Sequence, residues 1–180
     1  MRGNYDVLFA GFGGQGVLLA GKLLAWAGMV DGRSVTWFPS YGAEMRGGTA
    51  NCTVIISGQE IGSPVVDRPS ALVAMNEASA LKFSERVIKG GFIILNTSLV
   101  KKEITRHDVK IYKLPANDIA AGLGNVRAVN MVMLGAYLGI SGAVGLKCVG
   151  KALDETVSER NRELIPVNMA ALEKGWSLVK

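Results

Sequence analysis

Residues Tyr5–Gly16, YDVLFAGFGGQG, join an apolar run directly to a cluster of four glycines. The run Tyr5–Ala10 predicts a short buried strand, and the glycines predict the tight turn that follows it. The chain then enters a long apolar stretch that predicts a helix from about Gly14 to Val30. Lys22 is the only charged residue of that stretch, so we expect other elements to cover this helix on nearly all sides.

A β-rich run, Ser34–Phe38, follows the turn signal Asp31-Gly32, so the N-terminal elements are predicted to form a strand-helix-strand unit. The next β-branched run, Ala50–Ser57, comes too soon after it for a helical crossover. We therefore expect that run to pair antiparallel with a neighbouring strand. Further strands are predicted at Ala71–Met75, Phe92–Leu95 and Lys110–Leu114, and further helices at Glu77–Lys89, Val126–Leu138, Leu146–Val157 and from about Pro166 to Gly175.

These elements predict a single α/β domain over residues 1–180, with three α/β/α layers, a mixed and mostly parallel sheet, and a Rossmann-like start. A compact chain of this length buries roughly 70% of the surface that its unfolded form exposes, so a full core is feasible. The apolar content of 49% and the mean hydropathy of +0.27 are high for a soluble monomer. Both values predict that a partner chain covers part of the surface.

The formal net charge is +5, but the Lys and Arg residues are scattered and no aromatic residues interleave with them. This pattern is typical of a solvated basic surface, so we predict no nucleic-acid partner. The N-terminal residues pass straight into the first predicted strand without the regions of a signal peptide. We therefore expect a cytoplasmic protein.

The segment Ala128–Leu146, AVNMVMLGAYLGISGAVGL, carries no charge and is long enough to span a bilayer. Four glycines interrupt it, together with Asn130 and Ser141. These residues favour a buried helix that stops near Gly139 to Gly142. We therefore predict no membrane partner.

Complete catalytic sets and metal-ligand sets are missing from the sequence. Cys52 and Cys148 are far apart and neither belongs to a CxxC pair, which argues against a zinc site, a disulfide framework and a self-ligated iron-sulfur cluster. We expect both to be buried free thiols. His107, the sole histidine, lies in a charged stretch and is expected at the surface, so no triad or histidine-bearing metal site is predicted. The sequence also lacks a P-loop and the GDG pattern that holds thiamine diphosphate.

The glycine cluster itself satisfies the dinucleotide fingerprint GxGxxG through Gly11, Gly13 and Gly16, with Gly14 and Gln15 between the last two. Such glycines allow the backbone to approach a phosphate, and the helix N-terminus that follows favours an anion. The predicted second strand ends in apolar residues rather than in the acidic residue that binds a ribose, which argues against NAD. Two interpretations stay open: an anion-binding or docking loop, and a tight turn needing no ligand. Gln15 suits either a backbone cap or a ligand contact.

A second polar loop follows the second strand: Tyr41–Asn51, YGAEMRGGTAN. Arg46 precedes Gly47 and Gly48, so its guanidinium has little bulk beside it and suits a carboxylate or phosphate. Glu44 is placed to orient that guanidinium, or to form an internal salt bridge that braces the loop. Docking by a partner protein is the third alternative. Because ligands of α/β sheets bind beyond the carboxyl ends of the strands, we expect both loops to line one edge.

Three stretches together, GFGGQGVLLAGKLLA, PSYGAEMRGGTANC and NMVMLGAYL, resemble the gamma subunit, or gamma domain, of the 2-oxoacid:ferredoxin oxidoreductases, which include the pyruvate:ferredoxin enzymes. The resemblance covers nearly the whole chain, in the order that the family has. The second stretch looks most like the 2-oxoglutarate and branched-chain 2-oxoacid enzymes, whereas the indolepyruvate type is less similar.

The resemblance implies an enzyme that is active only as a complex. That complex would decarboxylate a 2-oxoacid, with 2-oxoglutarate expected, form an acyl-CoA with CoA as co-substrate, and reduce ferredoxin. Thiamine diphosphate, Mg²⁺ and iron-sulfur clusters would lie on alpha and beta (thiamine-binding) subunits and a small ferredoxin-like subunit, with no cofactor bound by this chain alone. Tyr41, Glu44, Arg46, Gly47 and Gly48 would form the loop that faces substrate or CoA. The alternative functions are a freestanding nucleotide- or CoA-binding Rossmann-like module and a purely structural interface domain.

Overall fold

The computed structural model describes residues 3–40 and 49–180, which contain one six-stranded sheet. Its strands are β1 (Tyr5–Phe12), β2 (Ser34–Ser40), β3 (Thr49–Ser57), β4 (Ala71–Ala74), β5 (Phe92–Asn96) and β6 (Lys110–Leu114). Their order across the sheet is β2-β3-β1-β4-β5-β6. β1, β4, β5 and β6 pair in parallel, whereas β3 is antiparallel to both of its neighbours. The predicted mixed, mostly parallel sheet is therefore confirmed.

The antiparallel strand β3 lies between the two strands of the predicted strand-helix-strand unit. Cys52 at its centre pairs with Phe9 of β1 on one side and with Pro39 of β2 on the other. β1 and β2 therefore run in the same direction without touching. The expected antiparallel pairing of this run is confirmed, and β2 becomes an edge strand, where Pro39 is tolerated.

Six helices connect and cover these strands in the part of the chain that the structure describes. They are α1 (Val17–Val30), α2 (Glu77–Phe83), α3 (Ala116–Gly122), α4 (Val129–Ser141), α5 (Leu146–Thr156) and α6 (Ile165–Ser177), with 3₁₀ turns at Ser84–Arg86, Val126–Ala128 and Glu159–Leu164. α2 is shorter than predicted, because Val87 is fully buried and takes extended backbone, so the chain leaves helical geometry before it. α3 was not predicted; its seven residues are too few to show a helical period.

The two faces of the sheet carry separate hydrophobic clusters, as three layers require. Val7 and Phe9 of β1 point into the larger cluster, with α1, α4, α5 and α6, whereas Leu8 and Ala10 point into the smaller one. α2 and the buried residues Val100 and Ile104 cover that second face. The α/β/α architecture is confirmed, with most of the helical mass on one side.

Helix α1 is less covered than its sequence predicts. It packs on the sheet and against α4 and α5, but Leu19 is 45% exposed and Met29 is 59% exposed, and Lys22 is exposed between them. The expectation of cover on nearly all sides is therefore wrong for the single chain. The reason is geometric: the neighbours of α1 all lie on its sheet side and its flank.

The uncharged segment folds as predicted into a buried helix. α4 ends at Ser141, and Gly142 follows it in the left-handed region with φ 62°. Only glycine adopts that conformation at little cost, so the helix stops where the sequence indicates. Within residues 3–40 and 49–180, every helix is too short or too polar to cross a bilayer.

The two thiols differ in burial, contrary to the expectation that both are buried. Cys52 is 0% exposed and its Sγ–H donates to the Val17 carbonyl oxygen at 3.6 Å, whereas Cys148 is only half-buried. Burial raises the pKa of the Cys52 thiol from 9.0 to about 12. The pKa of this thiol is therefore higher in the folded chain than in the unfolded chain. Its contribution to the free energy of unfolding is fully present below pH 9.0 and is lost as the pH rises towards 12.

Alkylation should separate the two cysteines. We expect iodoacetamide at pH 8 to modify Cys148 of the native chain and to leave Cys52 unmodified, because the thiolate is the nucleophile. In denaturant both should react. Mass spectrometry of the intact chain and of its peptides measures this. Equal labelling of both residues in the folded protein would contradict the assigned burial.

Candidate functional site at the carboxyl ends of the parallel strands

The glycine loop between β1 and α1 is closed by its own hydrogen bonds. The Phe12 N–H donates to Gln15 Oε1 at 2.7 Å, and the Gln15 N–H donates to the Phe12 carbonyl oxygen at 3.2 Å. Gly14 and Gly16 have φ values of 92° and 72°, which side chains rarely adopt. A Cβ at Gly11 would lie 2.7 Å from Gln15 Oε1. Gly11, Gly14 and Gly16 are therefore required by this turn itself, with or without a ligand.

Gln15 connects the loop to the end of β4. Its Oε1 also accepts a hydrogen bond from Asn76 Nδ2 at 2.9 Å, and its Nε2 lies 3.5 Å from the Met75 carbonyl oxygen. Gln15 thus caps the Phe12 N–H, which is one of the two roles that the sequence left open, and it also lines a cavity.

Side-chain amides continue this row along the carboxyl ends of the next strands. Asn96, the last residue of β5, donates from Nδ2 to the Met75 carbonyl oxygen at 3.0 Å and to Asn117 Oδ1 at 2.8 Å. Its Oδ1 accepts from the Ala116 N–H at 3.1 Å. Asn96 is 0% exposed, so these bonds satisfy an amide that has no access to water. The row Gln15, Asn76, Asn96 and Asn117 spans four strand ends.

Two cavities flank the glycine loop. The smaller cavity, of about 160 Å³, is lined by both polar and apolar groups of Gly14, Gln15, Asn117, Val126, Arg127 and Val129. The other, of about 260 Å³, is mostly apolar and is lined by Phe12, Gly13, Gly14, Gly16, Val17, Leu18, Leu19 and Ala50. Arg127 is exposed, and no carboxylate of the described residues pairs with it.

Helix α4 is tied to the same loop. Asn130 Nδ2 donates to the Gly16 carbonyl oxygen at 3.2 Å, and Asn130 is nearly fully buried. A Cβ at Gly16 would overlap the Asn130 amide. The third fingerprint glycine therefore permits close approach of α4.

The predicted polar loop Tyr41, Glu44, Arg46, Gly47 and Gly48 lies outside the described residues. Its flanks are Ser40, which ends β2, and Thr49, which begins β3 and pairs with Phe12. Ala50 pairs with Gly11 and lines the larger cavity. Thr49 thus adjoins the glycine loop, whereas Ser40 lies at the same edge of the sheet on the far side of β3.

Sequence reasoning missed Asn76, Asn96, Asn117 and Arg127. The position of the asparagines in the sequence could have indicated them. Each lies at or just beyond the end of a predicted parallel strand, where ligand-binding side chains are common. Arg127 has no such signal, because it belongs to a short 3₁₀ turn. His107 is exposed, as expected. The described part of the chain contains no group of three or more His, Cys, Asp or Glu side chains that could hold a metal ion.

Comparisons with known proteins agree on the family. A family model described as pyruvate ferredoxin/flavodoxin oxidoreductase matches residues 6–178. Ketoisovalerate oxidoreductase subunit VorA of Methanothermobacter thermautotrophicus is 40% identical over 94% of this chain, and the match covers 35% of VorA. The 2-oxoglutarate synthase subunit KorC of the same organism is 34% identical, over 97% of this chain and 94% of KorC. The chain thus spans about a third of the length of VorA and nearly all of KorC.

A solved structure has the same fold. The gamma subunit of a keto/oxoacid ferredoxin oxidoreductase from Geobacter sulfurreducens superposes with a TM-score of 0.84 and 29% identity, over 97% of this chain and 98% of that subunit. The expected resemblance is therefore confirmed. The chain belongs to the pyruvate ferredoxin/flavodoxin oxidoreductase family and matches its gamma subunits.

Proposed function

We propose that this chain is the gamma subunit of a multi-subunit 2-oxoacid:ferredoxin oxidoreductase. The complex would convert a 2-oxoacid and CoA to an acyl-CoA, releasing CO₂ and a proton and passing two electrons to ferredoxin. The observation that carries the proposal is the family match over residues 6–178. A freestanding CoA- or nucleotide-binding module is the competing function.

The cofactors of that reaction are proposed to lie on partner chains. This chain has two cysteines, of which Cys52 is fully buried, so it does not offer the four thiolates that an iron-sulfur cluster takes. We propose alpha and beta subunits that bind thiamine diphosphate with Mg²⁺, and a small ferredoxin-like subunit that carries clusters. The exposed apolar side chains Phe12, Leu19 and Phe38 support burial against such partners.

The substrate proposed is a 2-oxoacid of the 2-oxoglutarate or branched-chain type. The sequence resemblance favours 2-oxoglutarate, and similarity to KorC supports it. Similarity to VorA, whose name specifies ketoisovalerate, supports the branched-chain type, and the 40% identity to VorA exceeds the 34% identity to KorC. Comparing ferredoxin reduction by the purified complex with 2-oxoglutarate and with 2-oxoisovalerate decides between the two.

Within the complex, the loop Tyr41, Glu44, Arg46, Gly47 and Gly48 is proposed to face the substrate or CoA, with Arg46 holding an anionic group. The glycine loop Gly11–Gly16 is proposed as a second anion-binding or docking edge. An arginine suits the first role because its planar guanidinium binds a carboxylate or phosphate through two parallel hydrogen bonds.

Arg46→Gln tests this assignment. We expect it to raise the KM for CoA or for the 2-oxoacid by about tenfold or more, because the substitution removes a charge-assisted hydrogen bond while leaving a polar side chain. Steady-state kinetics of the co-purified complex, with size-exclusion chromatography to check assembly, measures both effects. Unchanged assembly and turnover would show that the loop does not have the proposed role. Catalysis by the 180-residue chain alone would refute the subunit assignment.

A further inference from the structure

We infer that the edge of the sheet opposite the glycine loop is a docking surface, and that it binds the partner chain that corresponds to the part of VorA outside the region matched here. This surface, the amino-end edge, lies where the parallel strands β1, β4, β5 and β6 begin. The inference rests on the proposed function in one respect, because it takes this chain to be one subunit of a complex. It adds a surface whose residues belong to neither polar loop.

A cavity of about 340 Å³ opens at the amino-end edge, on the face of the sheet that α4 covers. It is larger than either cavity beside the glycine loop. Its aromatic lining comes from three strands, through Tyr5 of β1, Phe92 of β5 and Tyr112 of β6. At its amino end, β4 contributes only the methyl group of Ala71 to this face, and Gly91 contributes no side chain. The sequence itself therefore leaves space between the aromatic rings.

The walls of this cavity are preformed. The Phe92 ring lies nearly at right angles to Tyr112, with centroids 6.2 Å apart, and stacks on Tyr137 at 6.1 Å. Tyr137 is buried and lies edge-on to Phe9, so this packing anchors the wall in the larger hydrophobic cluster. A preformed apolar pocket at a surface suits an anchoring side chain of a partner protein, because little ordering is needed when it is filled.

The charge at the cavity selects the kind of anchor. Among the described residues that line the cavity, Lys110 alone is charged, and it is exposed and pairs with no carboxylate of the described residues. Ser141, the last residue of α4, already accepts a hydrogen bond from the Ala143 N–H at 3.2 Å. An aromatic or aliphatic side chain with a carboxylate beside it therefore fits the cavity, since the rings bury the apolar part and the lysine supplies the opposite charge.

Exposed apolar side chains extend this surface beyond the cavity. Four of them lie at the amino-end edge: Met29, Val65, Ile88 and Leu178. Val65, 63% exposed, belongs to the connection from the end of β3 to the start of β4, and Ile88 lies in the connection that ends at β5. Met29 lies in the last turn of α1, and the Arg33 guanidinium that follows is 5.3 Å from the centre of the Tyr5 ring. Several exposed apolar residues along one edge are typical of a protein-protein interface.

Both ends of the described chain lie at this edge as well. Gly3 comes just before β1. Leu178 and Val179 follow α6, and a Cβ at Gly139 of α4 would lie 2.6 Å from Val179 Cγ2. Ile140, the next residue of α4, lines the cavity. A chain segment attached at either end would therefore begin beside the docking surface.

The length of VorA indicates what this surface binds. The match covers 94% of this chain but only 35% of VorA, so most of VorA lies outside it. That part is joined to the matched region at one of its ends or at both, and in this fold both ends lie at the amino-end edge. The neighbouring part of VorA therefore begins beside this surface. A separate subunit of the same kind binds there in the complex of this chain, without the covalent connection.

Leu178→Glu and Lys110→Glu test the inference in the co-expressed complex. Each places a negative charge on the surface, and we expect each to raise the Kd for the partner chain by about tenfold or more. Leu81→Glu is the control for the first variant, since Leu81 is similarly exposed but lies on α2, over the other face of the sheet. Lys113→Glu is the control for the second, since Lys113 is exposed on the same strand and alternation places it on the opposite face. Neither control should change the Kd.

Mass photometry of the purified complexes over a dilution series measures the Kd, and circular dichroism checks that each variant chain is folded. A photo-crosslinking residue in place of Leu178 identifies the chain that lies there. We expect cross-links to the subunit whose sequence matches VorA outside the region matched by this chain. Unchanged Kd values, or equal increases in variants and controls, would overturn the inference. Cross-links only to the ferredoxin-like subunit or to a second copy of this chain would overturn it too, as would intact assembly with lost turnover, which would indicate a small ligand in the cavity.

This inference and the proposed function fail in different ways. If the complex reduces ferredoxin and all four variants assemble like wild type, the amino-end edge is not the docking surface and the proposed function stands. If the complex reduces no ferredoxin with any 2-oxoacid, but Leu178→Glu and Lys110→Glu still weaken its assembly, the docking surface stands and the proposed function is wrong.

Discussion

Gly175→Ala is expected to lower the free energy of unfolding by roughly 3 kcal/mol or more. Gly175 lies in α6 where that helix crosses α4, and an added Cβ would overlap the Val132 carbonyl oxygen. Gly135 of α4 is in the reciprocal position, where a Cβ would overlap the Leu172 carbonyl oxygen. Neither clash is with a flexible side chain. The two helices must therefore separate, and the packing along their whole contact is lost.

Gly150→Ala is the matched control. Gly150 also lies within a helix, α5, but a Cβ there would be 3.6 Å from Met169 Cε, which is an ordinary contact. Alanine is favoured over glycine in a helix, so this variant should be about 0.5–1 kcal/mol more stable than wild type. Guanidinium denaturation followed by circular dichroism measures both variants. Similar midpoints for Gly175→Ala and wild type would disprove the close contact of α4 with α6.

The sequence predicted the elements whose signals are local. β6, Lys110–Leu114, has the predicted bounds, because Pro115 ends the run KIYKL at a defined place. The stop of α4 near Gly142 is equally local. The position of β3 between β1 and β2 has no such local signal. The short connection from β2 predicts that β3 pairs antiparallel with it. The pairing of β3 with β1 depends on contacts across the whole sheet.

The candidate site divides in the same way. The glycine loop is a local pattern, and its spacing alone identifies Gly11, Gly13 and Gly16. The amide row joins Gln15 to Asn76 across 61 residues and Asn96 to Asn117 across 21 residues. In a sequence, an asparagine after a strand has the same appearance as a turn residue. Only the parallel alignment of four strand ends brings these amides into one hydrogen-bonded row.

Asn96→Leu should have the second large effect, a loss of about 2–3 kcal/mol of stability. Leucine is similar in size, but it cannot bond to the Met75 carbonyl oxygen or to the Ala116 N–H, and both groups lie where Asn96 is 0% exposed. A buried polar group without a partner costs about 1–3 kcal/mol. This substitution leaves the Ala116 N–H without an acceptor and the Met75 carbonyl oxygen with only the 3.5 Å contact to Gln15 Nε2. The Ala116 N–H should also exchange faster with deuterium, since it loses its acceptor.

Asn117→Ala is the matched control for Asn96→Leu. It removes the outer bond of the row, at a half-buried residue, and leaves the bonds from Asn96 to Met75 and Ala116 intact. Its expected loss of stability is therefore only about 1 kcal/mol. Denaturant unfolding of both variants should thus show a much smaller shift of the midpoint for Asn117→Ala than for Asn96→Leu. If Asn96→Leu unfolds at the wild-type denaturant concentration, Asn96 does not hold these strand ends together.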